Sequence, residues 1–154
     1  DVNPSRGLGD VYKRQLVSAL AGNAVLTSLN LADNALCGIR YGRGTYDPSG
    51  IQALASDLTG NAVLTDLNLA ANEIGVEGAR ALADALNSGM AVLTKLNLTW
   101  NRIGVEGAKA FADVLKSGSS VLTKLDVRYC VVDEEAKQAL RDAVKEREGF
   151  ELKM

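Results

Sequence analysis

Trp100 and Tyr129 lie 29 residues apart, and so do Lys95 and Lys124. Arg128 directly precedes the tyrosine, with Asp126 two residues earlier. Trp, Tyr and Arg side chains dominate the energetic centres of protein–protein contacts, because each buries a large area and keeps a polar handle. The two lysines would attract carboxylates, and Asp126 would act as a local counter-charge. The chemistry this set supports is recognition, and the expected partner-binding residues are Lys95, Trp100, Lys124, Asp126, Arg128 and Tyr129. Such a patch calls for a protein partner with an acidic rim around an apolar centre.

A second possible site is Arg40, Tyr41, Arg43 and Tyr46, within the glycine-rich run Cys37 to Ser49. Insertions in repeating structures often mark a binding face, although a solvated loop of this length costs little chain entropy. The run has no G-K-[ST] signature, so a phosphate cradle is not expected. Catalysis finds little to work with. The chain has no histidine, which removes His-based triads and His metal sites. No catalytic residue, metal, cofactor or small-molecule substrate is expected. Seventeen basic against nineteen acidic residues give a formal net charge of −2, which argues against nucleic acid. No apolar run approaches the ~18 residues of a membrane span. Cys37 and Cys130 lie far apart in sequence, which fits a reducing, cytoplasmic setting. Asn97-Leu98-Thr99 has the glycosylation pattern but falls inside a repeated phrase, and is read as coincidence.

The elements that must position these residues follow from the period. Leu64 to Asn72 has the pattern L-x-x-L-x-L-x-x-N, Leu93 to Asn101 and Leu26 to Asn34 repeat it, and Leu122 to Cys130 keeps the frame. Leu64, Leu93 and Leu122 are 29 residues apart, whereas ten residues are added between Leu26 and the helix that follows. The alternating leucines predict a strand with Leu inward. The outward positions form columns: Ser28, Asp66, Lys95, Lys124; Asn30, Asn68, Asn97, Asp126; and Ala32, Ala70, Thr99, Arg128. Asn34, Asn72, Asn101 and Cys130 fall where the chain leaves each strand, placed to satisfy backbone groups in a buried ladder. Gly78, Leu82, Ala85 and Leu86 then lie on one face of a helix, with Gly78 and Ala85 small enough to let it approach the strand layer. Helices are predicted over Pro48–Leu58, Val76–Asn87, Val105–Lys116 and Glu134–Lys145. Asp133 is the expected N-cap of the last. Phe150, Leu152 and Met154 alternate as a short covering strand would.

The phrase L-x-x-L-x-L-x-x-N/C with a full helix and a 29-residue period resembles the ribonuclease-inhibitor-like class of leucine-rich repeats. The resemblance runs from Leu16 to about Val144. It implies an α/β solenoid: curved right-handed βα repeats, parallel strands on the concave side and helices on the convex side. It also implies a non-catalytic protein-interaction module, the C-terminal part of a larger scaffold or sensor. That class includes the activating protein of the GTPase Ran, so the alternative is a GTPase-activating protein, with Arg40 or Arg43 assisting hydrolysis.

Residues 5–15, SRGLGDVYKRQ, resemble a translated sequencing adaptor, and repeat phase begins at Leu16. Residues 1–15 are therefore read as a non-native segment. Residues 16–154 are read as the repeat domain, with a partial repeat at 16–25, repeats from 26, 64, 93 and 122, and a C-terminal cap to 154. Setting aside residues 1–15 removes three basic and two acidic residues and leaves a net charge of −3.

Overall fold

The computed structural model describes Gln15 and residues 23–39, 42–89 and 92–154. Apart from Gln15, the suspected adaptor segment lies outside the described residues, as does most of the partial repeat at 16–25. Strand and helix alternate along the chain: β1 (Ser28–Asn30), α1 (Ser49–Leu58), β2 (Asp66–Asn68), α2 (Gly75–Ser88), β3 (Lys95–Asn97), α3 (Gly104–Ser117), β4 (Lys124–Asp126), α4 (Glu134–Val144) and β5 (Glu151–Lys153). Among the described residues, these five strands form one sheet in sequence order, and every neighbouring pair is parallel. Parallel neighbours need a crossover of about a dozen residues or more, and the helix of each unit supplies it.

Register follows the repeat without a slip. Ser28, Asp66, Lys95, Lys124 and Glu151 stand side by side, as do Leu29, Leu67, Leu96, Leu125 and Leu152. A slip of one residue would turn these leucines to the outer face, and Leu67, Leu96 and Leu125 are buried in the core. Leu69, Leu98 and Val127 are buried in turn, in one core cluster with Leu82, Phe111 and Leu140 from the helices. Each row burying a Leu-sized side chain is worth roughly 1.5–3 kcal/mol per residue, and that return exists only because the neighbouring unit is present.

The helices match the expected spans to within a residue at each end. One packing detail differs. Gly78 was expected to admit the strand layer, but a Cβ there would lie 2.6 Å from Cγ2 of both Ile51 in α1 and Ile74. A Cβ on its equivalent Gly107 would lie 2.8 Å from Cβ of Ala79 in α2 and 3.1 Å from Cβ of Ile103. The missing side chains therefore let adjacent helices and the preceding turns approach one another. Asp133 caps α4 as expected, accepting the Ala136 N–H at 2.8 Å. Among the described residues, no helix is long and apolar enough to cross a membrane.

Candidate functional site

Each strand ends in a turn built by two side chains, and these turns position the site. The first is the second outward column. Asn30, Asn68 and Asn97 accept the backbone N–H two residues on, from Ala32, Ala70 and Thr99, at 3.0, 3.1 and 3.0 Å. Asp126 does the same for Arg128 at 3.2 Å. These side chains were expected to face solvent freely, but they close Asx turns instead. The recurring Asn or Asp two residues before the turn was the available signal.

The second is the inward ladder. Asn72 Oδ1 accepts the N–H groups of Asn34 and Leu36, and its Nδ2 donates to the carbonyls of Leu31, Leu69 and Ala70 at 2.8–3.1 Å. Asn101 repeats this with the N–H groups of Asn72 and Ile74 and the carbonyls of Leu69, Leu98 and Thr99. Cys130 takes the place in the last unit, its Sγ 3.0 Å from the Leu98 carbonyl. Burial raises the Cys130 thiol above the ordinary cysteine range.

On both sides of the ladder residue the backbone turns left-handed. Asp33 and Ala35, Ala71 and Glu73, Trp100 and Arg102, and Tyr129 and Val131 all have φ between 48° and 62°. This conformation costs an L-residue roughly 1–2 kcal/mol and suits Gly, Asn or Asp. The first two units place small or acidic residues here, and the last two place Trp100, Tyr129 and Val131. These three remain 59, 62 and 73% exposed. Trp100 and Tyr129 stack on each other, with ring centroids 4.4 Å apart and planes 16° from parallel.

Below this edge, Asp66, Asn68, Lys95, Asn97, Lys124, Asp126, Arg128 and Lys153 line an open groove of about 380 Å³. The structure thus brings Lys95, Lys124, Asp126 and Arg128 together. It leaves Trp100 and Tyr129 on the turns beside the groove, outside its lining. It adds Lys153, which the sequence columns missed because Lys124 to Glu151 spans 27 residues instead of 29. The charges are largely paired. Lys124 and Lys153 both reach Glu151 at 3.0 Å, which holds its carboxyl below the ordinary range, while Lys95 stands 3.8 Å from Asp66. Arg128 grips Asp126 with a closest contact of 2.7 Å. Burial pushes the Asp126 carboxyl upward, but hydrogen bonds from Arg128 and Thr99 outweigh it and hold the group below its usual value.

The insertion loop presents a different picture. Arg40 and Tyr41 lie outside the described residues, and Arg43 is exposed. Tyr46 is tied to the next unit: its hydroxyl donates to the Ile74 carbonyl at 2.7 Å, and its ring lies over Gly75. Burial, then the nearby Cys37, raises its pKa. Tyr46 therefore braces the loop against the second turn and also walls a groove of about 370 Å³ with Ile39, Val76, Glu77 and the Glu73–Arg102 ion pair. Among the described residues, no group of three or more His, Cys, Asp or Glu is placed to hold a metal ion.

Comparison with known proteins agrees with this geometry. The family model described as "Leucine Rich repeat" matches residues 58–83 and 90–112. No curated protein matches the chain. Among solved structures, the protein titled "Leiomodin-1 Actin-Binding Site 2 (ABS2)" superposes with a TM-score of 0.70 at 18% identity, covering 92% of this chain and 76% of that one. At that identity the likeness concerns the fold alone. With its parallel strands, its crossover helices and its ladder of Asn and Cys, the chain is an α/β leucine-rich-repeat solenoid.

Proposed function

We propose that this solenoid is a non-catalytic protein-interaction module of the ribonuclease-inhibitor-like kind, serving a larger scaffold or sensor. The partner seats on the two C-terminal units. The observation that carries this is the Trp100–Tyr129 stack. Two large aromatic side chains stand on backbone that disfavours them, gain no core packing there and remain mostly in water. Burial under a partner would recover that area, and Trp, Tyr and Arg are the residue types that anchor interfaces. Arg128 and the groove of Lys95, Lys124 and Asp126 adjoin the pair and favour an acidic surface around the apolar anchor. The leucine-rich-repeat match and the fold likeness to an actin-binding fragment support binding as the class of activity. The thiols of Cys37 and Cys130, both buried and far apart in the sequence, support a reducing, cytoplasmic setting.

The test is capture from a lysate of the source cells by the wild type, by W100A/Y129A and by R80A/K109A. The last is altered only on the convex helices, at the exposed ion pairs Arg80–Glu106 and Lys109–Glu135. A protein retained by the wild type and R80A/K109A but lost by W100A/Y129A supports the reading. Retention by W100A/Y129A with loss on deletion of residues 40–46 would move the site to the insertion. GTPase activation would require Arg40 or Arg43 to act on a bound nucleotide, and a hydrolysis assay comparing wild type with R40A/R43A tests it.

A further inference from the structure

Val131 is the least expected residue of the turn edge. It is β-branched, sits at φ 54° and is 73% exposed. A β-branched residue at positive φ is a true outlier, and its neighbours in the chain give it no burial in return. The equivalent Ala35, Glu73 and Arg102 have the same left-handed φ, so the repeat sets the backbone, and what distinguishes Val131 is an exposed β-branched apolar side chain placed on it. Beside it lies a groove of about 270 Å³ lined by Tyr129, Val131, Val132 and Met154, with Arg128 and Lys137 at its margins. This volume is below the ~300–1,000 Å³ of small-molecule sites. It suits one inserted side chain.

Arg128 also lines the larger groove on the concave face, so its side chain borders both. The concave lining carries four cations, Lys95, Lys124, Arg128 and Lys153, against two carboxylates, Asp66 and Asp126. Glu151, just outside it, ties Lys124 and Lys153. The surroundings are thus still positive by one charge, and Asp126 is committed to Arg128.

We propose that the groove of Tyr129, Val131, Val132 and Met154 receives one apolar side chain of the partner. The residues flanking that anchor are acidic and pass over Arg128 toward Lys95, Lys124 and Lys153. The inference rests on the interaction reading above and names the partner's chemistry: an acidic segment with a single apolar anchor. Val131 and Tyr129 form the wall against which the anchor packs, which buries apolar area that the free chain leaves in water.

The experiment is a selection of phage-displayed random short peptides on the wild-type chain. Selected peptides are then titrated by fluorescence anisotropy against wild type, V131N and W100A/Y129A, with a thermal melt of each variant. Asparagine tolerates the left-handed conformation, so V131N should melt no lower than wild type. The expected peptides carry one apolar residue flanked by Asp or Glu, bind V131N at least about tenfold more weakly, a change of about 1.4 kcal/mol, and fail to bind W100A/Y129A. Peptides lost on W100A/Y129A but held within about twofold by V131N, or enriched peptides with basic flanks, overturn the groove proposal alone. Peptides bound equally by all three proteins, or no enrichment, overturn the interaction reading and the groove together.

Discussion

Replacing Asn72 with Ala tests the ladder that shapes every turn of the site. The side chain accepts from two N–H groups and donates to three carbonyls. Not all of these partners would be stranded. The Ala70 carbonyl also accepts from Asp33 N–H, the Leu69 carbonyl from Asn101, and Asn34 is exposed enough for water to replace its bond. Leu36 N–H and the Leu31 carbonyl, both in buried residues, are left without a partner. An unsatisfied buried group costs about 1–3 kcal/mol, so two of them predict a loss of about 2–4 kcal/mol after partial relaxation. Asn34→Ala is the internal control. Among the described residues its side chain makes one bond, to the Ala32 carbonyl, at an exposed position, and its loss should stay within about 0.5 kcal/mol. Urea unfolding followed by circular dichroism reads both values. Equal costs for Asn72→Ala and Asn34→Ala would refute the ladder as the source of turn stability.

Val131→Gly should stabilise the free chain by about 0.5–1 kcal/mol, since relief of about 1–2 kcal/mol of left-handed strain exceeds the ~0.5–1 kcal/mol entropic penalty of glycine. A lower melting temperature would show that the turn holds Val131 without strain. Asp126 has a folded-state pKa below its unfolded value, so its contribution is complete above the unfolded pKa and is lost as pH falls through the folded one. Acid unfolding of D126N should lack that component below about pH 4, the ordinary carboxylate range, and identical acid profiles would remove Asp126 from the account. Removing residues 1–15, which have no counterpart in the repeat, should leave the melting temperature unchanged or raised. A loss above about 1 kcal/mol would make them part of the fold.

The fold was legible because a constant 29-residue spacing leaves a parallel sheet only one register: Lys95 beside Lys124 and Leu96 beside Leu125. The ladder was legible at Asn72 and Asn101, because an amide recurring inside an apolar pattern needs partners and backbone turns offer them. Asn34, expected in the same ladder, is exposed, and its side chain bonds only to the Ala32 carbonyl among the described residues. The Asx turns of Asn68 and Asn97 were missed through treating alternation as orientation alone, when Asn also bonds locally. Lys153 was missed because a shortened last unit hides the column it joins. The left-handed backbone at Trp100, Tyr129 and Val131 had no composition signal, since none of these residues favours it; only the Asp33 position hinted at it. The link from Tyr46 to the Ile74 carbonyl spans 28 residues and follows no repeat, so no pattern could show it.

The central claim is that Trp100 and Tyr129 are the anchors of a protein interface. Ala71 holds the equivalent turn position at φ 56°, so alanine at either site keeps the backbone that the neighbouring unit already uses. The measurement is titration calorimetry of the captured partner against wild type, W100A, Y129A and R80A/K109A. Each aromatic truncation should cost at least about 2 kcal/mol of binding, while R80A/K109A, which removes only exposed ion pairs, should cost under about 0.5 kcal/mol. Losses under about 0.5 kcal/mol for both W100A and Y129A would contradict the account.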